Sequence, residues 1–407
     1  MKELKSNITM EHAKSALNIT AEIIEEFGPR LTGTPACKKA GEKLKSELDK
    51  LCTKTASEKF QCSRDAFLYF IRYFSISYVG AFICLISGSN WTFLAALLTS
   101  FGCIMAICEF VFYKEFIDPF FKKTDGYNIS GTIEPSGEVQ QSIIISGHYD
   151  SPHVFRFLNN NQKLYKLRVI ITTGLYLLLT IFSLWASYEW IIQPSTFKIN
   201  QEFINFMGVG LIFMLPYFFF VSWDVSPGAG DNLISAAIAV KLADHFSTLN
   251  LNHTRLVILC PDAEESGLRG AREYVKLHKE TLHSIPTYNF NMDSIYRLQD
   301  LRILKSEING IVALDENLGN KCTEIANSLG YIIPSMSMPF GGGSTDAAEF
   351  AKAGIPALSI IGLDTTFTSG NVPYHTSFDT VDKIEPEAVL ACMQIAEQFI
   401  LGIDKQF

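Results

Sequence analysis

Five positions along the chain carry, in order, side chains of the types that ligate metal ions: His148, Asp231, Glu265, Asp293 and His375. Their contexts are SGHYDS (146–151), GAGDN (228–232), PDAEESGLRG (261–270), NMDS (291–294) and YHTSFDT (374–380). Imidazole nitrogen and carboxylate oxygen are zinc ligands, and a catalytic zinc keeps one position open for water. Two metals about 3.5–4 Å apart need a bridging group, and a carboxylate with two oxygens can bridge. Two histidines and three carboxylates allow one His and one terminal acid per metal, with one Asp shared. Such a pair lowers the pKa of a bridging water and polarises a carbonyl. A sixth residue, Glu264, stands beside Glu265 and is left free to take the water proton and pass it to a leaving amine.

The elements around these residues can position them. Residues 142–147 (SIIISG) and 255–260 (RLVILC) read as buried strands, as does YNFNM (288–292). His148, the Glu264–Glu265 pair and Asp293 each follow one of them. Ligands of open α/β sheets bind beyond the carboxyl ends of the strands, so three candidates converge on one edge. Asp231 opens a helical pattern, DNLISAAIAVKLADHF (231–246), and is expected to cap it while facing the metals. His375 lies on a loop. The remaining histidines (His153, His245, His253, His278 and His283) read as ordinary core or surface residues. No H-E-x-x-H, G-x-S-x-G or phosphate-binding loop is present.

The ordered motifs resemble those of the M28 metallopeptidases, the zinc aminopeptidases of the aminopeptidase S and Y type. The segments GPRLTGTPACKKAGEKL (28–44) and GGGSTDAAEFAKAGIPALSI (341–360) resemble that family too. The likeness covers all but the apolar insertions below and their flanks. It implies two Zn2+ per chain, with other divalent metals admissible, and Asp231 as the bridge. His148 and Asp293 would complete one metal, Glu265 and His375 the other. Glu264 would be the general base and Asp150 the partner that orients His148, with Asp379 in a similar role near His375. Gly342, Gly343, Ser344, Asp346 and Tyr374 are the candidates for contact with substrate. The glycine run is expected to bring backbone close to substrate, or else to be a plain flexible turn.

Four apolar stretches interrupt this pattern: Ala66–Ser87, Trp91–Tyr113, Val169–Ile192 and Phe203–Trp223. Each has about the 20 residues a bilayer span needs. Internal charges are few (Arg72, Glu109, Glu189), and Trp91, Phe112, Tyr113, Trp185, Trp190 and Trp223 cluster toward the ends, as in an interfacial belt. The alternative is buried core helices. Paired, the stretches form two hairpins, at 66–113 and 164–223, that leave and re-enter one side. The M28-like catalytic domain is then 1–65, 114–163 and 224–407. The second hairpin falls between Asp150 and Asp231, so part of the site mouth should lie near the bilayer. Flanks on the catalytic side carry Arg64, Lys114, Lys122, Lys123, Lys163, Lys166 and Arg168, against Lys198 opposite. The positive-inside rule then predicts a cytoplasmic catalytic domain. The first 18 residues lack an apolar signal-like core, and the nine cysteines show no paired spacing, which agrees. Several N-x-[ST] sequons (Asn7, Asn18, Asn90, Asn128 and Asn252) carry weight only if the domain is lumenal.

A net charge of −8 argues against a nucleic-acid partner. The fold class expected is α/β, a mixed and mostly parallel sheet flanked by helices (a zinc exopeptidase fold), plus four transmembrane helices as two inserted hairpins. The resemblance implies an aminopeptidase that trims peptides, and the insertion between Asp150 and Asp231 leads to the expectation of hydrophobic or membrane-delivered ones among them. Two alternatives are a glutaminyl-cyclase-like single-zinc enzyme and a non-catalytic membrane receptor or scaffold. The complete ligand set and Glu264 count against both.

Overall fold

The structure is a computed structural model that describes residues 5–367 and 370–406. Small parts of the expected catalytic segments 1–65 and 224–407 thus lie outside the described residues. The strands are β1 (Lys54–Cys62), β2 (Thr124–Ile133), β3 (Gln141–Ser146), β4 (His153–Phe155), β5 (Val221–Val225) and β6 (Thr254–Cys260). They continue as β7 (Thr287–Ile295), β8 (Arg302–Glu307), β9 (Val312–Ala313), β10 (Ser335–Ser337) and β11 (Ala357–Gly362). Nine of them form one sheet in the order β1-β2-β6-β3-β7-β11-β8-β10, with β9 on β8. The central run β6-β3-β7-β11 is parallel, and antiparallel pairs flank it.

The isoleucines of β3 show why this sheet must be covered on both faces. Side chains alternate along a strand. Ile143 and Ile145 pack with helices Met10–Phe27, Ile234–Thr248 and Pro386–Asp404, while Ile144 packs with Tyr274, Val275 and Phe350 on the other face. Helix Pro35–Leu48 starts where Thr34 accepts a bond from Cys37 N (3.3 Å) and Pro35 occupies the first turn, the position where a missing N–H costs nothing.

The first apolar hairpin consists of helices Tyr69–Ile86 and Thr92–Ala106, the second running on as a wide turn over Ile107–Val111. It sits between β1 and β2, which pair antiparallel from Lys54↔Thr132 to Cys62↔Thr124. The second consists of Tyr165–Ile192 and Gln201–Tyr217. Its roots, β4 and β5, pair with each other apart from the main sheet. Among the described residues four helical segments are long and apolar enough to cross a membrane, by length and composition alone: Tyr69–Ile86, Ser89–Val111, Gln162–Ile192 and Pro386–Asp404.

One of the span expectations changes, and one of these four segments is not among the expected spans. Pro386–Asp404 is a core helix, apolar on several sides because it lies between the sheet and helices Met10–Phe27 and Glu316–Ser328. The expected span Phe203–Trp223 is shorter than read from hydropathy. Its helix has 17 residues, carries Pro216 in its last turn, and gives way to β5, whose Val221 and Val225 pair with Phe155 and His153. Proline withdraws a helical N–H, and a waiting strand partner takes over the backbone.

Candidate metal centre

The site lies at the carboxyl ends of β3, β6 and β7, with Asp293 still inside β7. Asp150 organises it. Its Oδ1 lies 3.1 Å from His148 Nδ1 and accepts from Glu264 N (3.2 Å). Its Oδ2 accepts from Glu265 N (3.3 Å) and Thr32 Oγ1 (3.2 Å). One buried carboxylate thus fixes the ring of His148, leaving Nε2 as its free face, and the turn that carries both glutamates. That turn begins at Ala263, whose φ of 59° is uncommon for a residue with a Cβ.

Asp231 does not cap the following helix, contrary to expectation. Its φ of −119° and ψ of 84° put it on a kinked stretch before the helix starts at Ile234, and its side chain turns to the histidines instead. The kink is held from several sides. Asp379 accepts from Gly230 N (2.8 Å) and Asp231 N (3.2 Å), Asn232 Nδ2 donates to Met292 O (3.0 Å), and Ser294 Oγ donates to Asp231 Oδ1 (3.1 Å). Asp379 therefore supports Asp231 and not His375. Position 230 has to be glycine, because a Cβ there would come within 2.0 Å of the Tyr296 ring. Arg30, fully buried, donates to Tyr149 O (2.8 Å), Pro227 O (2.9 Å) and Gly228 O (2.7 Å) and so ties the kink to the His148 turn.

The five candidate ligands converge. His148 Nε2 lies 3.6 Å from Asp231 Oδ1, 3.6 Å from Asp293 Oδ2 and 3.7 Å from Glu264 Oε2. His375 Nε2 lies 3.3 Å from Asp231 Oδ2 and 3.3 Å from Glu265 Oε2. Ligand atoms about 2.0–2.1 Å from a tetrahedral zinc are themselves about 3.3 Å apart, so these separations suit shared coordination. His148 Nε2, Asp231 Oδ2, Glu265 Oε1 and Asp293 Oδ2 are buried with no hydrogen-bond partner among the described residues. Buried polar atoms seldom stay unpaired, and a cation would satisfy these. The donor set fits zinc. The opposite oxygens of Asp231 face the two histidines, as a bridging carboxylate requires.

The electrostatics say the same. Burial, with Asp231 beside it, pushes Glu265 up to about 8, and burial pushes Asp293 up to about 7. Glu264 is raised well above the carboxylate range by burial and by Glu265, Asp293 and Asp346, against the pull of His148. Burial works against a charged imidazole, yet the surrounding carboxylates lift His375 to about 10 and raise His148 as well. Asp231 goes the other way: burial opposes its charge, but hydrogen bonds to His148 and His375 hold it below its ordinary value.

The pH dependence of the metal-free protein follows from these directions. A carboxyl raised on folding keeps its proton better in the folded state, so stability is greatest below its ordinary value and falls as pH climbs to the folded one. For Glu265 that window runs from 4.5 to about 8, for Asp293 from 3.8 to about 7. A histidine raised to about 10 adds stability below 6.5 that is lost above it, in the same direction. The lowered Asp231 adds stability that disappears only in acid. Chelated protein is therefore expected to melt at least about 5 °C lower at pH 8 than at pH 5, and restoring metal should remove most of that difference. A chelated protein that melts higher at pH 8 would sink the assignment.

The expected substrate contacts divide. Tyr374 is half-buried, its ring 4.1 Å from that of His375. Gly342 is exposed and Gly343 half-buried. Ser344 Oγ is occupied, donating to Glu307 Oε2 (3.1 Å). Asp346 is fully buried, neither oxygen having a hydrogen-bond partner among the described residues, and burial raises it well above the carboxylate range. Sequence reading missed Glu307, a buried acid that burial pushes up to about 8 and that binds Thr345 N (2.8 Å). It also gave no role to Arg30, although the GPRLTG segment had drawn attention. The root of the second hairpin touches the site directly. Phe155 N donates to His375 O (2.8 Å), and the two rings lie 4.2 Å apart.

The helix-flanked, mixed and largely parallel sheet is like that of zinc exopeptidases. Residues 220–400 match the family model of peptidase family M28, which bears out the resemblance read from the motifs. Asp231, Glu264, Glu265, Asp293 and His375 fall inside that match, and His148 lies before it. Aminopeptidase YwaD of Bacillus subtilis (strain 168) is 25% identical over 162 residues, 40% of this chain and 34% of that protein. The chain thus spans about a third of the length of the curated relative it matches. A Zn-dependent exopeptidase from Parabacteroides distasonis superposes with a TM-score of 0.57 at 15% identity, covering 95% of this chain and 97% of that one. Porphyromonas gingivalis glutaminyl cyclase does so with a TM-score of 0.59 at 12% identity, covering 99% and 100%. At such identities these likenesses concern the fold.

Proposed function

We propose that this protein is a dinuclear zinc aminopeptidase held at a membrane by its two apolar hairpins. The observation that carries the reading is the placing of two histidine nitrogens against opposite oxygens of one carboxylate, each with a further acid at 3.3–3.6 Å. His148, Asp293 and Asp231 would hold one metal; Asp231, Glu265 and His375 the other. When bound, the metals supply an acidified water and a polarised carbonyl. The protein's own part is positional. Asp150 fixes the free face of His148. Glu264, 3.7 Å from that face, accepts the proton of the attacking water and returns it to the departing amine. The membrane reading rests on the hairpins. Ile83, Phe93, Leu97, Ile170, Ile181 and Ile212 are each more than half exposed there, an apolar surface that lipid would cover. The lysines and arginines at the hairpin roots favour a cytoplasmic catalytic domain. The position of the second hairpin against His375 favours hydrophobic or membrane-delivered peptides as substrates.

The test is a peptide library offered to detergent-purified, zinc-loaded protein with free and with acetylated N-termini, read by mass spectrometry. Stepwise trimming of the free library alone is expected. Cutting of both, or of neither, would overturn the aminopeptidase reading. The fold match to a glutaminyl cyclase favours a second reading. N-terminal glutamine peptides losing ammonia but no residue, on protein with one metal per chain, would establish it.

A further inference from the structure

Arg72 stands in the first turn of helix Tyr69–Ile86, beside Phe70, Ile71 and Tyr73. A charge within an apolar hairpin is costly to leave without a partner. The guanidinium lies over the Trp223 ring, 4.7 Å from its centroid, and Nη2 donates to Val221 O (3.1 Å). Nε is buried with no hydrogen-bond partner, and no carboxylate pairs with the side chain among the described residues. The acids near it in sequence are engaged elsewhere. Asp65 pairs with Arg64 (3.5 Å), and Asp224 Oδ2 accepts from Ser222 Oγ (2.9 Å).

The arrangement recurs one step along. Arg156, exposed and directly after β4, lies over the Phe219 ring at 5.6 Å, and its side chain makes no hydrogen bond or ion pair among the described residues. The rings of Phe219 and Trp223 are 6.2 Å apart. Guanidinium, ring, ring and guanidinium thus form a ladder where the chain leaves the second hairpin for β5. Arg168 repeats the motif over Phe157 (5.3 Å). A ring holds a guanidinium by its flat face and leaves the N–H groups of its edge free. Elsewhere this chain spends such edges on acids: Arg255 on Glu134, Arg269 on Asp118, and Arg272 on Glu115 and Glu349. At the hairpin root it supplies rings and, among the described residues, no acid. Free N–H edges beside exposed apolar side chains suit a phosphate that carries acyl chains.

We propose that the ladder Arg72–Trp223–Phe219–Arg156 is a binding site for the phosphate of acidic phospholipids, whose acyl chains lie against the exposed Ile212 and Leu215 of the same hairpin. The inference rests on the membrane reading of the hairpins and gives the bilayer a chemical preference. The site stands on the ribbon of β4 and β5, the same ribbon that meets His375 through Phe155.

The experiment titrates the detergent-purified full chain with dihexanoyl phosphatidylglycerol, dihexanoyl phosphatidylcholine or inorganic phosphate, and reads apparent affinity from the rise in melting temperature. The two lipids share their acyl chains, so the difference between them reports headgroup charge. Expected is an affinity for phosphatidylglycerol at least about tenfold above that for phosphatidylcholine, and no stabilisation by inorganic phosphate at the same concentrations. Each arginine should contribute about fivefold. The double variant Arg72→Gln with Arg156→Gln is therefore expected to lose most of the preference, while Lys198→Gln, in the opposite loop, keeps it. Equal affinity for the two lipids, a preference that survives the double substitution, or an equal loss from Lys198→Gln would overturn the site. So would stabilisation by inorganic phosphate to match phosphatidylglycerol, the mark of a site for a free anion. Arg72→Gln also gives up the bond to Val221 O. If the double variant does not fold, Arg156→Gln alone decides, and a loss under about threefold ends the proposal. The membrane reading fails separately, if wild type stays monodisperse once detergent is removed. The ladder is then judged on the same short-chain lipids: selective binding lost with the arginines supports it, and its absence ends it.

Discussion

Glu264→Gln is expected to give a folded, metal-replete protein that turns over peptides about 10³-fold more slowly, with KM nearly unchanged. The reason lies in how the residue is held. Its backbone N–H is fixed by Asp150 at 3.2 Å, so the side chain does not set the geometry of the turn. Glutamine has the same shape and keeps an acceptor oxygen, but it cannot take up a proton. Its 11% side-chain exposure leaves little room for bulk water to substitute as the base. Rate constants together with metal content by mass spectrometry check the prediction. A rate within tenfold of wild type at full metal content would remove Glu264 from the proton path. A drop in metal content would instead make it a ligand, which its distance to His148 also permits.

Asp231→Asn is expected to cost both metals and not one. Asp231 Oδ1 faces His148 and Oδ2 faces His375, so the substitution removes the shared charge and replaces one of the two acceptors with a donor. The backbone should hold, because Asp379 binds the main chain of 230 and 231, and Asn232 binds that of 292 and 294. Metal content near two per chain should fall below one, with activity at background, whereas His375→Ala should retain one metal. Retention of two metals by Asp231→Asn would end the bridging role. Equal losses from Asp231→Asn and His375→Ala would show two metals that bind as a unit.

The metal cluster was legible in the chain because its residues are chemically distinctive and three of the candidate positions follow a strand that reads plainly as buried. What holds the cluster was not. Arg30 meets its acceptors at Pro227 and Gly228, almost 200 residues away, and nothing local marks it as other than a surface arginine. Asp379 misled by proximity: four residues from His375, it turns to the main chain of Asp231, since the loop between them bends through Thr376. Hydropathy could not separate Phe203–Trp223 into helix and strand, because the strand exists only through its pairing with β4. Tyr113 was counted among the aromatic residues at a span end, and only the structure shows its φ of 50° and its carbonyl held by Arg272.

The ladder of β1 and β2 runs in unbroken register as far as Cys62↔Thr124, and the first hairpin departs from its open end. Strands matched in this way need no more than a tight reversal to close, so the sheet is indifferent to how much chain is spliced in there. A graft at such a point leaves the register, the buried faces and the candidate ligands untouched. A scaffold of this kind can therefore take on a new outer surface in a single insertion without rebuilding its sheet.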